Sequence, residues 1–133
     1  MKYFKALIMV VALMVTSGFV YAHHSVAGAF GRGIEPTNIH VEGTIVKVEW
    51  ANPHIYINIE VTGGDVDAGQ KWRLLTHPVN IMQETYGFYK REFNVGDTLK
   101  VHGWKHLRGY PVLQARAIGI NSRSQSSMPS KLR

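Results

Sequence analysis

Two stretches of the chain alternate apolar and polar residues with the period of a β-strand. In residues 39–50 the apolar residues stand at odd positions as far as Ile45, and at even positions from Val46 to Trp50. Two apolar neighbours at such a change of phase predict a β-bulge, which bends a strand so that it can serve two sides of a small barrel. Residues 54–62 alternate cleanly, and the pattern predicts a core face of Ile55, Ile57, Ile59 and Val61.

The six residues Glu49–His54 separate these strands and combine a tryptophan, an Asn-Pro pair and a histidine. Proline has no N–H to donate to a neighbouring strand, so Pro53 predicts a break in the ladder. We therefore expect a tight corner that joins the first strand to the second. The corner is also the first candidate for a functional site, because it concentrates an aromatic ring, an amide and an imidazole.

One helix is predicted in the second half of the chain. Thr76 or His77 would cap it, and Pro78 suits the first helical position because that position needs no N–H donor. Gly87 is expected to end the helix. Its apolar face has the spacing i, i+3, i+7 and consists of Val79, Met82 and Tyr86.

Three further strands complete the pattern. Residues 71–75 would turn Trp72 and Leu74 inward, residues 99–103 alternate, and residues 112–120 follow a hairpin loop. Three strands, a helix and two strands are the element order of the OB-fold, a five-stranded, partly open Greek-key barrel. We predict a mainly β fold, a small five-stranded OB-like barrel with one short helix between strands 3 and 4. An antiparallel α+β barrel of another topology is the alternative.

The first 22 residues have the organisation of a signal peptide. Lys2 and Lys5 precede an apolar run over residues 6–15, and small residues flank Tyr21 at the expected cleavage site after Ala22. The run is shorter than the ~20 residues that a membrane-spanning helix needs. This favours a cleaved leader over an uncleaved anchor, and it predicts a periplasmic or secreted protein without stable membrane insertion.

The remaining residues suffice for one domain. We expect an irregular N-terminal segment over 23–38, the barrel domain over 39–121, and a disordered, Ser-rich basic tail over 122–133. The chain has no cysteine, which excludes thiolate metal sites and thiol nucleophiles.

The formal net charge of +6 lies mostly at the two ends of the chain. Between residues 23 and 121, ten Lys or Arg residues are balanced by nine Asp or Glu residues. A nucleic-acid-binding protein normally concentrates positive charge on its folded face. We therefore expect no nucleic-acid partner.

Three motifs resemble a family of small exported bacterial proteins of unknown function. They are His23-His24-Ser25, residues 48–54 with Glu-Trp-Ala-Asn-Pro-His, and residues 95–104 with a Gly-Asp turn and an alternating strand. The resemblance extends to about Ile120 and implies export and an OB-like barrel, but no reaction. The chain departs from the family at residues 75–78, where an acidic Gly/Ser-containing stretch is expected, and in its basic tail.

Seven histidines in a cysteine-free chain would allow a metal site built from nitrogen alone. After cleavage His23 would offer a free amine and an imidazole, and His54 or His24 would add further nitrogen ligands. Planar nitrogen ligation suits Cu(II) or Ni(II), so we predict copper or another transition metal at His23, His24 and His54. Two alternatives stay open: the terminal histidines bind nothing, or His54 closes its turn by hydrogen bonding to a carbonyl or to Asn52.

The polar face of the second strand offers a different kind of site. Ligands of OB barrels lie across strands 2 and 3, where an aromatic, an amide and a carboxylate could bind a sugar or a peptide. An ordinary solvated strand face is the alternative. The predicted ligand-binding residues are Trp50, Asn52, Tyr56, Asn58 and Glu60. A second patch is expected at the last hairpin, from His102, Trp104, His106 and Tyr110.

The sequence carries no phosphate-binding loop, no nucleophile elbow and no His-Glu-x-x-His zinc motif. We therefore expect a binding or accessory module and not an enzyme. Its partner would be an unknown periplasmic protein or a small ligand. The leading hypothesis is copper binding, and the alternative is interaction with a protein or glycan without a metal.

Overall fold

The computed structural model of the protein describes residues 28–31 and 37–120. The predicted leader, His23, His24 and the basic tail lie outside these residues. Five strands account for most of the described chain: β1 (Asn38–Glu49), β2 (Tyr56–Gly64), β3 (Lys71–Leu75), β4 (Thr98–Lys105) and β5 (Val112–Ile120). One α-helix, α1 (Val79–Glu84), and a short 3₁₀ turn (Lys90–Glu92) connect β3 to β4.

The strands close into a barrel in the order β1-β2-β3-β5-β4, and β4 pairs back with β1. All pairs are antiparallel except β3 with β5, which run parallel. The predicted fold class is therefore confirmed: a mainly β, five-stranded OB-like barrel with one short helix between strands 3 and 4. Within the described residues, no helix is long and apolar enough to span a membrane.

The core lies inside the barrel, and every strand contributes to it. Ile55, Ile57, Ile59 and Val61 are all buried, as the alternation predicted. Trp72 and Leu74 of β3 also point inward. Met82 is the buried residue of α1, and it joins the core together with Phe88 and Phe93 from the connection that follows. Helix and connection therefore cover the core at one end of the barrel.

Two glycines allow the strands to approach closely where the barrel bends. Register shifts occur beside Gly43 on β1 and beside Gly103 on β4. A Cβ atom on Gly43 would lie 2.7 Å from the Glu60 carbonyl oxygen, and one on Gly103 would collide with the Gln114 carbonyl. A third shift, between Ile45 and Lys47, is the predicted β-bulge. It leaves Val46 unpaired and 42 % exposed.

The predicted bounds of two strands need correction. β1 ends at Glu49 and leaves Trp50 outside the ladder, while β2 begins at Tyr56 and not at His54. The corner is therefore longer than the Asn-Pro pair alone suggested. It includes His54 and Ile55 because Ile55 bonds through its backbone to Thr76 and His77, in the connection after β3.

The predicted helix cap is also wrong. Pro78 is the capping residue of α1, and its own side chain makes no capping hydrogen bond. Thr76 is buried, and its hydroxyl lies within hydrogen-bond distance of the Ile55 carbonyl at 3.2 Å and the His77 carbonyl at 3.4 Å, so its proton is used on a carbonyl. Asn52 from the corner takes the capping role, since its Oδ1 accepts a hydrogen bond from the Val79 backbone N–H at 3.0 Å.

Candidate functional site

The Glu49–His54 corner is held against the connection between β3 and α1. The Asn52 side chain caps the helix, and the His54 ring hydrogen bonds to the Thr76 carbonyl. A carbonyl oxygen only accepts, so His54 Nδ1 carries the proton in this 3.2 Å contact. In neutral imidazole this leaves the lone pair of Nε2 available to a second partner. His54 thus makes the predicted bond to a carbonyl, across the corner and not within its own turn.

Trp50 takes part in the packing of the barrel end. Its ring lies 5.4 Å from the Phe93 ring, centroid to centroid, at a tilt of 43°. It is half-buried and packs against the core cluster. Of the five predicted ligand-binding residues, Trp50 and Asn52 therefore have structural contacts at the corner, whereas Tyr56, Asn58 and Glu60 lie on the outer side of β2.

A polar cluster surrounds Tyr56 on the outer side of β1, β2 and β3. The Arg73 guanidinium lies over the Tyr56 ring, with Cζ 3.9 Å from the ring centroid. Arg73 also donates to the Glu49 carboxylate at 2.9 Å, and Lys47 pairs with the other oxygen of that carboxylate at 3.0 Å. We call this cluster the Tyr56 face and define it as Lys47, Glu49, Tyr56, Asn58 and Arg73.

Strand pairing explains why these residues meet. Asn58 lies opposite Lys47 on β1 and opposite Arg73 on β3. Tyr56 lies opposite Glu49, two residues nearer the corner than the pair of Asn58 and Lys47. The bulge at Val46 matters here, because it shifts the strand by one residue and so turns Lys47 and Glu49 outward. Glu60 is exposed further along β2, opposite Lys71 and outside the cluster.

The charges of the Tyr56 face support one another. The hydrogen bond from Lys47 lowers the pKa of the Glu49 carboxyl below its ordinary value of 4.5, and partial desolvation opposes this effect. Attraction to Arg73 and Lys47 and a hydrogen bond from Asn58 lower the pKa further. Glu49 is therefore a carboxylate at neutral pH, with two cations and an amide arranged around it.

A second polar cluster lies on the outer side of β1 and β4. The His40 and His102 rings are stacked, with centroids 4.6 Å apart and an interplanar angle of 23°. Glu42 is 3.4 Å from His40 Nε2 and 2.9 Å from Lys100 Nζ. We call this cluster the His40 face and define it as His40, Glu42, Asp65, Lys100 and His102. It was not predicted, because it depends on the register between β1 and β4.

The histidine and aromatic patch expected at the last hairpin is divided among several contacts. His106 packs edge-on against Tyr110 and against Phe30 from the N-terminal segment. Trp104 lies beneath the Arg116 guanidinium, 4.3 Å from its Cζ atom, while His102 belongs to the His40 face. The four predicted residues therefore do not form one site.

The predicted copper ligands are only partly described. His54 is in place at the corner, whereas His23 and His24 lie outside the described residues. Within the ranges 28–31 and 37–120, no three His, Asp or Glu side chains are grouped so as to hold a metal ion. The copper site thus stays a prediction.

Arg73 is the central residue of the Tyr56 face, and the pattern of the sequence alone does not single it out. On its own strand it is one exposed position in an alternating pattern. A signal was nevertheless available, since pairing a predicted third strand with the second brings an outward Arg beside an outward Tyr. The contact needed the register of that pair, which the spacing alone does not provide.

Fold and faces together define the class of this protein: a small OB-like barrel with an organised polar cluster on the side where such barrels carry ligands. Residues 10–112 match a family of unknown function (DUF6152). This span is well over half of the chain, so the protein belongs to that family. A comparison with curated proteins finds no match. The resemblance to a family of unknown function is confirmed to this extent, while the His-His-Ser motif and export stay predictions.

Proposed function

We propose that this protein is an exported, non-enzymatic binding module whose ligand surface is the Tyr56 face. The observation that carries the proposal is the stack of Arg73 on Tyr56 beside the Glu49 carboxylate, with Arg73 Cζ 3.9 Å from the ring centroid. It joins an aromatic ring to fixed donors and acceptors on the outer side of β2 and β3. Support for export comes from residues 2–22, and support for a non-enzymatic role from the lack of catalytic motifs.

A glycan fits this surface better than a peptide. Peptides often bind by adding a strand to a free sheet edge, but the five described strands close on one another and offer no such edge. A hydroxyl-rich ligand can instead exchange hydrogen bonds with a carboxylate, an amide and a guanidinium. These groups stand on neighbouring positions at Glu49, Asn58 and Arg73, and the Arg73 guanidinium lies over the Tyr56 ring.

Titration of the protein with a panel of soluble oligosaccharides tests this function. A binding oligosaccharide should perturb the NMR signals of Tyr56 and Asn58, and Tyr56→Leu should weaken its binding by about tenfold, the scale of one aromatic contact. Tyr110→Leu is the matched control, since Tyr110 is an exposed tyrosine on the last hairpin. Equal loss in both variants, or binding by a peptide panel alone, would refute a glycan site on the Tyr56 face.

Copper binding at His23, His24 and His54 is a second candidate function. The observation that favours it is the His54 hydrogen bond to Thr76, which fixes the ring and directs the proton to Nδ1. Metal-binding histidines commonly donate their other ring N–H to a carbonyl in this way. His54 Nε2 would then be the nitrogen that the corner offers to a metal ion.

Copper titration of the protein secreted with its own leader tests this second candidate. N-terminal sequencing should give His23 as the first residue. His54→Ala should weaken Cu(II) binding, and one residue added before His23 should do the same by moving the amine. His106→Ala, at the last hairpin, should leave this site unchanged. Unaltered affinity in His54→Ala removes His54 from the site.

A further inference from the structure

We propose that His40 and His102 form a second site, a two-histidine chelate for a divalent transition metal ion such as Cu(II), Ni(II) or Zn(II). The pair lies on the outer side of β1 and β4, whereas the Tyr56 face occupies β1, β2 and β3. It includes neither His54 nor any residue before position 28. The proposal therefore does not depend on the proposed function.

The backbone places the two histidines directly opposite each other. His40 on β1 and His102 on β4 are register partners in an antiparallel pair, so their Cβ atoms lie about 5 Å apart on the same side of the sheet. Their rings stack at 4.6 Å. The barrel thus brings together two imidazoles from distant parts of the chain, and keeps them together through its strand ladder.

Two further features fix the position of the pair. Asp65, in the loop after β2, makes two hydrogen bonds to the His40 backbone. The His40 N–H donates to the Asp65 carboxylate at 2.7 Å, and the Asp65 N–H donates to the His40 carbonyl at 2.8 Å. On β4, the register shifts between His102 and Gly103. A bulge of this kind redirects the adjacent side chain. Both histidines are therefore set by local backbone features.

Glu42 is the acidic residue next to the pair, and it is already paired with a cation. Its Oε1 atom is 3.4 Å from His40 Nε2. The same oxygen is paired with Lys100 Nζ at 2.9 Å. An ammonium beside the site repels a metal cation, but the Lys100 side chain is 64 % exposed and free to turn away.

The stacked rings must turn to bind an ion, because imidazole lone pairs lie in the ring planes and these planes are inclined by only 23° to each other. Two nitrogens that share a metal at ~2.0–2.1 Å lie roughly 3 Å apart, with the metal close to the plane of each ring. His102 is exposed, so its ring can turn about the Cβ–Cγ bond to bring a nitrogen closer. Imidazole nitrogen suits copper, nickel and zinc, with water completing the coordination.

Calorimetric titration of the full chain with NiCl₂ tests the chelate. The protein carries no purification tag, and His23→Ala/His24→Ala serves as the background so that terminal ligands do not contribute. We expect one Ni(II) ion to bind in this background. His40→Phe and His102→Phe should each weaken binding by about tenfold or more, the scale on which altered metal ligation acts. Phenylalanine keeps a flat ring at either position, so the stack and the fold are retained.

His106→Phe is the matched control, since His106 lies on the same hairpin and contacts Phe30 and Tyr110. It should leave Ni(II) affinity unchanged. Lys100→Gln should tighten binding several-fold by removing the neighbouring charge. Unfolding curves identify any variant that fails to fold, and His40→Ala or His102→Ala then replaces it. Unchanged affinity in either folded histidine variant, or weaker binding in Lys100→Gln, would overturn the proposal.

Discussion

The Tyr56 face and the His40 face are built around the same pair, a β1 glutamate held by a lysine. Glu49 is 3.0 Å from Lys47, and Glu42 is 2.9 Å from Lys100. The third partner differs. Beside Glu49 it is Arg73, stacked on Tyr56, whereas beside Glu42 it is a histidine stacked on a second histidine.

This one difference separates the chemistry of the two faces. A guanidinium stays charged at every physiological pH and has no lone pair for a metal ion. An imidazole is the commonest metal ligand in proteins and titrates near neutrality. The Tyr56 face therefore offers fixed charge and hydrogen bonds to an organic ligand. The His40 face offers nitrogen atoms, although both faces use the same strand and the same acidic residue type.

A cavity in the core beneath β1 should destabilise the strand that carries both faces. Ile45 lies between the two glutamates and is fully buried, so Ile45→Ala should lower the free energy of unfolding by about 2–5 kcal/mol. The neighbouring Val46→Ala, at the exposed bulge, should change it by about 0.5 kcal/mol or less. Urea denaturation measures both values. Similar losses of unfolding free energy in the two variants would contradict the placement of Ile45 in the core and Val46 at the surface.

Weakening the Glu49–His54 corner should destabilise the Tyr56 face and leave the His40 face unchanged. Asn52→Ala removes the oxygen that accepts from Val79 N–H, which should cost about 1 kcal/mol, as for other helix caps. Asn52→Asp keeps an acceptor oxygen and should retain most of the stability. Amide hydrogen exchange should become faster at Val79 and at the corner in Asn52→Ala. Equal acceleration at His40 and His102 would show that the two faces are coupled.

The alternation of residues along the chain was sufficient to predict the barrel. It identified the four core positions of β2, the bulge at Val46 and the element order that distinguishes an OB-like fold. It failed at the helix cap because the capping oxygen comes from Asn52, 27 residues away from Val79. Local propensity describes neighbours in sequence, and this cap is a tertiary contact.

The candidate sites were less predictable for the same reason. The period along one strand is enough to predict Tyr56 and Asn58 on the ligand face, whereas Arg73 joins them only through the β2–β3 register. The sequence position of His102 predicts a place at the last hairpin. The β1–β4 register instead places it against His40. Strand pairing thus decides which exposed side chains form a site.

Acid should weaken the Tyr56 face through Glu49, and this is the smallest of the three effects. Lys47, followed by Arg73 and Asn58, holds the pKa of the folded Glu49 carboxyl below its ordinary value of 4.5. Its contribution to stability is therefore complete above pH 4.5 and is lost as the pH falls through the lower pKa of the folded state.

Glu49→Gln should lower the stability at neutral pH and make the loss of stability in acid shallower. Urea midpoints between neutral pH and the acid range measure both effects. Lys47→Gln should reproduce part of this change, because it removes the leading cause of the shift. An NMR titration that places the Glu49 pKa at or above its ordinary value would show that the cations around Glu49 do not stabilise its charge.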